Sequence, residues 1–278
     1  QAKPNDEIVS AVANAVRSNM GDPAFAALLT RLPDVGELFL EHVPVSPEAL
    51  AGARKSVQTA LATELFEDAN AYLNQRMAKP FKPDAEQSGE RALRSAFILL
   101  LSALGASSDA RLKQLFDNAE NMTESLSSLR ALCLANGDSK SVALSEFEEK
   151  WAENELVLDK WFAVQAGTGD VESTSKLLEH PKFDLSNPNR VRSVVAVFAM
   201  QNLEAFNAKD GSGYELTARI IEQADKKNPA LAARLLTAFE QWKSLEPEAK
   251  QSAQAALKQL QKGDLSKNAA DIITRTLG

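Results

Sequence analysis

The sequence predicts an all-α protein, and three observations carry that reading. Ala, Leu, Glu, Lys and Gln, the strong helix formers, fill long stretches between only 12 glycines and 11 prolines in 278 residues. Apolar residues recur three and four apart, as in Leu61, Leu65, Ala69, Tyr72 and Leu73, and in Leu231, Leu235, Ala238, Phe239 and Trp242. That is the period of a helix with one buried face. Alternating, β-branched runs bounded by turns are scarce, so no sheet is expected.

Taken in order, short helical pieces are expected around Ile8–Val16, Pro23–Arg31 and Val35–Glu41, then one long pattern from Ser46 to about Leu73. Lys79-Pro80 and Lys82-Pro83 end that pattern, because proline disfavours helix at the residue before it. After a loop to about Ser88 comes a helix from Ala92 to Leu104 that is apolar on all sides and is expected to be buried between others. Beyond it, helix starts are read from short polar side chains that can accept from unpaired backbone N–H groups. These are Ser108, Ser145, Asn187, Asn228 and Ser266, with Pro188 and Pro229 in the first helical turn where a missing N–H costs nothing.

The intervals between these starts are 37, 42, 41 and 38 residues. A unit of about 40 residues with two helical patterns is the length of a HEAT or armadillo αα-hairpin. The predicted architecture is therefore a superhelical stack of antiparallel helix pairs. With no low-complexity linker, residues 1–278 read as a single helical domain, with an N-terminal part to about 105 and a repeat-like part from about 106 to 278.

Charge and cysteine content narrow the function. Thirty-eight acids against 31 bases give a net charge of −7, which opposes a polyanion, so nucleic acid is not an expected partner. The longest apolar run, Ala96–Leu101, is far short of the ~20 residues that span a bilayer, and no membrane partner is expected. One cysteine, Cys133, cannot close an intramolecular disulfide, which fits a cytoplasmic location. The first residue is Gln1, as in a piece cut from a longer chain.

Motifs for chemistry are few. His42 and His180 are 138 residues apart, so there is no His-Glu-x-x-His helix to bind zinc, and both read as helix-end or loop residues. Cys133 follows Leu126, Leu129 and Leu132 as a core-facing residue with nothing basic beside it. Asp210-Gly-Ser-Gly213 lacks the lysine and strand of a phosphate loop and reads as a turn into the Tyr214 helix. Asn121, with Glu124 three residues on, reads as a helix cap. Trp151, Trp161 and Trp242 read as core, and the Glu246–Lys250 stretch as a solvated face.

One pair stands apart. Arg192 and Arg234 each follow an Asn-Pro helix start by five or six residues, in units about 41 residues apart. Arginine near the positive end of a helix is electrostatically unfavourable by about 0.3–1 kcal/mol. Two at corresponding places point to an anionic or carbonyl partner, or else to a salt bridge with an acid such as Asp159 or Glu204.

Ala62-Thr-Glu-Leu65, Asn121-Met-Thr123, Leu158-Asp-Lys-Trp-Phe162, Asn187-Pro-Asn-Arg190 with Arg192, and Asp210-Gly-Ser-Gly-Tyr214 occur in this order. The ordered set, spread over essentially the whole chain, resembles the C-terminal domain of the bacterial aminopeptidase N family, the M1 (gluzincin) zinc aminopeptidases. The resemblance implies a non-catalytic domain that closes over the active site of a zinc enzyme removing N-terminal amino acids from peptides. The zinc, its His-Glu-x-x-His helix and the other catalytic groups are expected in a catalytic domain absent from this sequence. This chain alone is expected to have no catalytic residue, no metal and no cofactor. The implied partners are the parent's catalytic and other domains and its peptide substrates, with Arg192 and Arg234 lining the cavity as substrate-binding residues. The alternative is a free-standing helical-repeat scaffold that binds another protein.

Overall fold

In the computed structural model, residues 4–39, 43–75 and 80–278 are described. The helices run α1 (Asp6–Ser18), α2 (Pro23–Leu29), α3 (Val35–Leu38), α4 (Pro47–Glu64), α5 (Phe66–Asn74), α6 (Ala85–Leu101), α7 (Asp109–Asp117), α8 (Met122–Ala135) and α9 (Ser139–Trp151). They continue with α10 (Glu155–Ala166), α11 (Val171–Leu178), α12 (Pro188–Val191), α13 (Val197–Gln201), α14 (Leu203–Phe206), α15 (Ser212–Asp225), α16 (Pro229–Leu236), α17 (Pro247–Gln261) and α18 (Lys267–Leu277). The protein is all-α, as predicted. Among the described residues the one β feature is an isolated bridge between Val45 and Leu245.

Caps explain most starts. The side chains of Asn121, Asn187, Asn228 and Ser266 accept from N–H groups of the first turns of α8, α12, α16 and α18. Ser108 does precede α7, but its hydroxyl donates to the Gly105 carbonyl and caps nothing. Ser145 is a correction: it lies inside α9, which begins six residues earlier at Ser139. The start of α9 is capped from another helix, because Asp109 Oδ2 accepts from the Ser139 N–H at 3.2 Å and its hydroxyl at 2.7 Å. The same device recurs at α18, where buried Asp225 accepts from the Ser266 N–H at 2.5 Å and its hydroxyl at 2.7 Å.

The long pattern from Ser46 to Leu73 is two helices broken at Leu65. No helix breaker stands there. Arg17, from α1, donates to the Glu64 carbonyl at 2.8 Å and to Asp68 Oδ2 at 2.9 Å, and a side chain competing for a ladder carbonyl is a recognised cause of a kink. The expected stops at Lys79 and the role of His42 lie outside the described residues.

Two units can be distinguished, and their membership differs from a division near residue 105. The first comprises Gln1–Pro33 with Gly52–Ala152, the second Asp34–Ala51 with Glu153–Gly278. Helices α7 to α9, predicted as the start of the repeats, therefore belong with the N-terminal elements.

In the first unit, α6 is the central helix, packed against α2, α5 and α8. Leu93, Phe97, Ile98, Leu100 and Leu101 are buried along it, as expected, but the helix begins at Ala85, inside the stretch expected as loop to about Ser88, because Asp84 caps it, and it ends at Leu101 rather than Leu104. The stretch Ala85–Asp117 contains an 18-residue window of mean hydropathy 1.2, long and apolar enough to cross a membrane by length and composition. It reads as a core helix, since buried Arg91 and Arg94 lie within it and a 3-10 turn with Gly105 at φ +66° interrupts it. Arg94 donates to the carbonyls of Tyr72, Leu73 and Gln75, so a cation sits at the negative end of α5. Its charge is balanced by Glu124 at 2.5 Å, so Glu124 does not complete a reciprocal box with Asn121.

The second unit packs α10 against the α12–α13 segment, α15 against α16 and α17, and α18 against α16 and α17. Short connections between consecutive helices keep them neighbours, as in helical repeats. The core contains an aromatic cluster in which Phe206 meets Phe198, Tyr214 and Phe239 edge-on, with centroids 6.4, 5.0 and 5.4 Å away. Trp161 and Trp242 are buried as predicted, whereas Trp151 is half-buried.

Candidate functional site

The segment Asn187–Gln201 in the second unit carries the residues of interest. Asn187 Oδ1 accepts from the N–H groups of Asn189 and Arg190, and Pro188 takes the first turn. The helix then widens into a π-helical turn over Arg192–Ala196 before regular geometry resumes in α13. Such turns are rare and concentrate at functional sites.

Two arginines two residues apart have opposite fates on this segment. Arg190 is 1% exposed and lies over the Phe162 ring at 4.7 Å. It donates through Nε to Asp159 Oδ1 at 2.6 Å, through Nη2 to Glu155 Oε2 at 2.6 Å, and through Nη1 to the Lys182 carbonyl. Arg192 is exposed, and its Nη2 donates to Asn189 Oδ1 at 2.6 Å. Asp159 is thus an arginine partner, but of Arg190 rather than Arg192. The signal was available in the sequence: Arg190 shares a helical face with Val194 and Phe198, both buried, and Arg192 does not.

Arg234, on α16, is also exposed. Among the described residues neither Arg192 nor Arg234 forms an ion pair, with Glu204 or any other acid. Both guanidinium groups are therefore available to a partner outside the described residues, and neither pays for a salt bridge already made. A guanidinium offers a planar fork of donors suited to a carboxylate and also to carbonyl oxygens.

The remaining sequence candidates take structural places. His180 packs between the rings of Trp161 and Phe162 with centroids 5.3 Å from each, and its Nδ1 accepts from the Lys182 N–H. Cys133 is buried on α8. Asp210–Gly213 is a turn into α15: Asp210 Oδ1 accepts from the Ser212 N–H and hydroxyl, which holds the Asp210 carboxyl below its usual pKa. Gly211 sits at φ +79°, the left-handed region that glycine tolerates. Tyr214 donates from its hydroxyl to Asn207 Oδ1 at 2.7 Å, and burial pushes its phenol above its ordinary pKa.

No group of three or more His, Cys, Asp or Glu among the described residues is arranged to hold a metal ion. These residues do not fit a zinc centre.

The family described as "Domain of unknown function (DUF3458_C) ARM repeats" matches residues 1–278. The chain belongs to this family. The chain is also similar to curated aminopeptidases over most of its length. Aminopeptidase N of Escherichia coli is 35% identical over 263 residues, covering 92% of this chain and 30% of that protein. Aminopeptidase N of Caulobacter vibrioides is 33% identical over 279 residues, covering 98% of this chain and 32% of that protein. The crystal structure of Legionella pneumophila aminopeptidase A in complex with aspartic acid superposes with a TM-score of 0.86 at 27% identity, covering the whole chain and 34% of that protein. The DUF3458_C chain thus spans about a third of the length of these relatives, and it is homologous to the C-terminal portion of M1 aminopeptidase N. The resemblance read from the ordered segments is borne out, as is the armadillo-like fold class.

Proposed function

We propose that this chain is the non-catalytic C-terminal domain of an M1 zinc aminopeptidase, closing over an active site carried elsewhere in the polypeptide and shaping the substrate cavity. One observation carries the reading: the family match runs through residues 1–278, yet the chain spans only about a third of its aminopeptidase relatives. In this reading zinc and bond cleavage belong to the remainder of the parent, and the partners are its catalytic and other domains. Peptide substrates reach this domain through the enclosed cavity. Enclosure contributes by excluding water and folded proteins and by orienting the substrate. The absence of any possible intramolecular disulfide supports a cytoplasmic setting.

Mixing this chain with the remaining part of its parent tests the reading. A stable complex with restored amino-acid arylamide hydrolysis is expected, with no turnover from this chain alone. Chelator-sensitive turnover by the purified chain, or a remainder fully active without it, would sink the proposal.

Arg192 and Arg234 are the groups this chain offers to the peptide. Their exposure, and the absence of an ion pair to either among the described residues, support the role. Replacing either with alanine in the assembled enzyme should lower kcat/KM for long peptides by about tenfold or more, the scale of a desolvated charged hydrogen bond worth roughly 1.5–3 kcal/mol. A dipeptide-sized arylamide should be turned over normally. Melting curves should stay unchanged, since neither side chain is buried. Equal losses across substrate length would refute the assignment.

A further inference from the structure

A polar cleft of about 380 Å³ opens at the C-terminal end of α5 in the first unit, walled by Asn74, Gln75, Arg94, Arg111, Gln114 and Asn118. Its two arginines are in different electrostatic states. Arg94 has its charge matched by Glu124 and gives three more N–H groups to main-chain carbonyls. Arg111 donates through Nε to Asn70 Oδ1 at 2.9 Å, through Nη1 to Gln114 Oε1 at 2.7 Å and through Nη2 to Asn74 Oδ1 at 2.7 Å. All three acceptors are neutral amides, and among the described residues no carboxylate pairs with Arg111. A guanidinium has five N–H donors, so two remain for a ligand. Burial, and then the neighbouring Arg94 charge, hold Arg111 below the usual arginine pKa.

We propose that this cleft binds a small oxyanion, a carboxylate or a phosphate, on Arg111. A cation is disfavoured there, because the Glu124 charge is already matched and Arg111 would repel it. The other carboxylate on the lining is Glu120, which is exposed to screening solvent. An oxyanion compensates the Arg111 charge, which no carboxylate contacts among the described residues, with a planar fork to receive it. The flanking amides can turn their NH₂ groups toward the anion, since each carries both donors and an acceptor. The volume suits a small molecule or a single acidic side chain, not an extended polymer.

The test titrates the full chain with inorganic phosphate and, in a separate arm, with acetate, each against sodium chloride at matched ionic strength. Thermal midpoint and the arginine Nε–H resonances are followed together. A saturable rise beyond chloride, with a shift of the Arg111 resonance, is expected for at least one oxyanion, and the responding arm names its class. Arg111→Lys keeps the charge but loses the fork, and should weaken binding by about tenfold. Arg111→Gln should abolish the response, and Glu120→Gln should tighten it. A rise matched by chloride, no response in either arm, or a response that survives in Arg111→Gln would overturn the proposal. Should Arg111→Gln fail to fold, the wild-type resonance shift and the lysine variant still decide the matter.

Discussion

Replacing Arg190 with alanine should destabilise the second unit by about 3–5 kcal/mol, the scale for removing one partner of a buried ion pair. Asp159 is 16% exposed at its side chain and would be left there without its arginine partner. The Lys182 carbonyl would lose its donor, and the Phe162 ring would lose the cation above it. Glu155, at 65% exposure, adds little, because its half of the network is solvated. Arg190→Lys should recover only part of the loss, since a single ammonium cannot serve Asp159, Glu155 and Lys182 in the plane of one fork. Urea unfolding followed by far-UV circular dichroism measures the change, with Arg192→Ala as the comparison expected within about 0.5 kcal/mol of wild type. Equal stabilities for the two alanine variants would show that the buried network contributes nothing.

Gly213→Ala is expected to cost about 3 kcal/mol or more, at or above the upper end of the usual range for overpacking. A Cβ at this position would overlap the main-chain carbonyls of Phe206 and Ala205, which, unlike a flexible side chain, cannot swing aside. The start of α15 would be pushed off α14, pulling Tyr214 from Asn207 and loosening the aromatic cluster around Phe206. The Gly211→Ala change, two residues earlier, works differently: the strain there is in the left-handed backbone, roughly 1–2 kcal/mol for a residue with a Cβ. A thermal midpoint for Gly213→Ala no lower than that of Gly211→Ala would contradict the steric account.

Much of the fold was legible because the signals are local. Asn121, Asn187, Asn228 and Ser266 cap helices through N–H groups two or three residues away, so residue type and position suffice to find them. The burial of α6 follows from its own apolar composition. Ser145 failed as a start because the preceding residues continue a good helix and the cap for α9 comes from Asp109, thirty residues earlier. The break at Leu65 escaped for the same reason, since Arg17 approaches the Glu64 carbonyl from 47 residues away.

At the candidate site, the arginine-rich helix start and the acid Asp159 were both visible, but the pairing between them was not. Periodicity could have separated Arg190 from Arg192; the Asn-Pro spacing singled out Arg192 and left the pairing of Arg190 with Asp159 unread. The π-helical turn at Arg192 carries no sequence mark, because no glycine or proline interrupts Arg192–Ala196. The oxyanion cleft was equally silent: Arg111 is an ordinary helix residue until α5 sets Asn70 and Asn74 beside it.

By itself the sequence determined the helical class, the cap-defined starts and the resemblance to the aminopeptidase N family, all of which rest on composition, on contacts within a helical turn, or on ordered segments. The tertiary structure alone decided which acids pair with the buried arginine, where a helix bends, and which helices share a unit. Those outcomes depend on pairs of groups brought together from tens of residues apart, and on how each pair balances desolvation against charge and hydrogen bonding, terms that a local period does not encode.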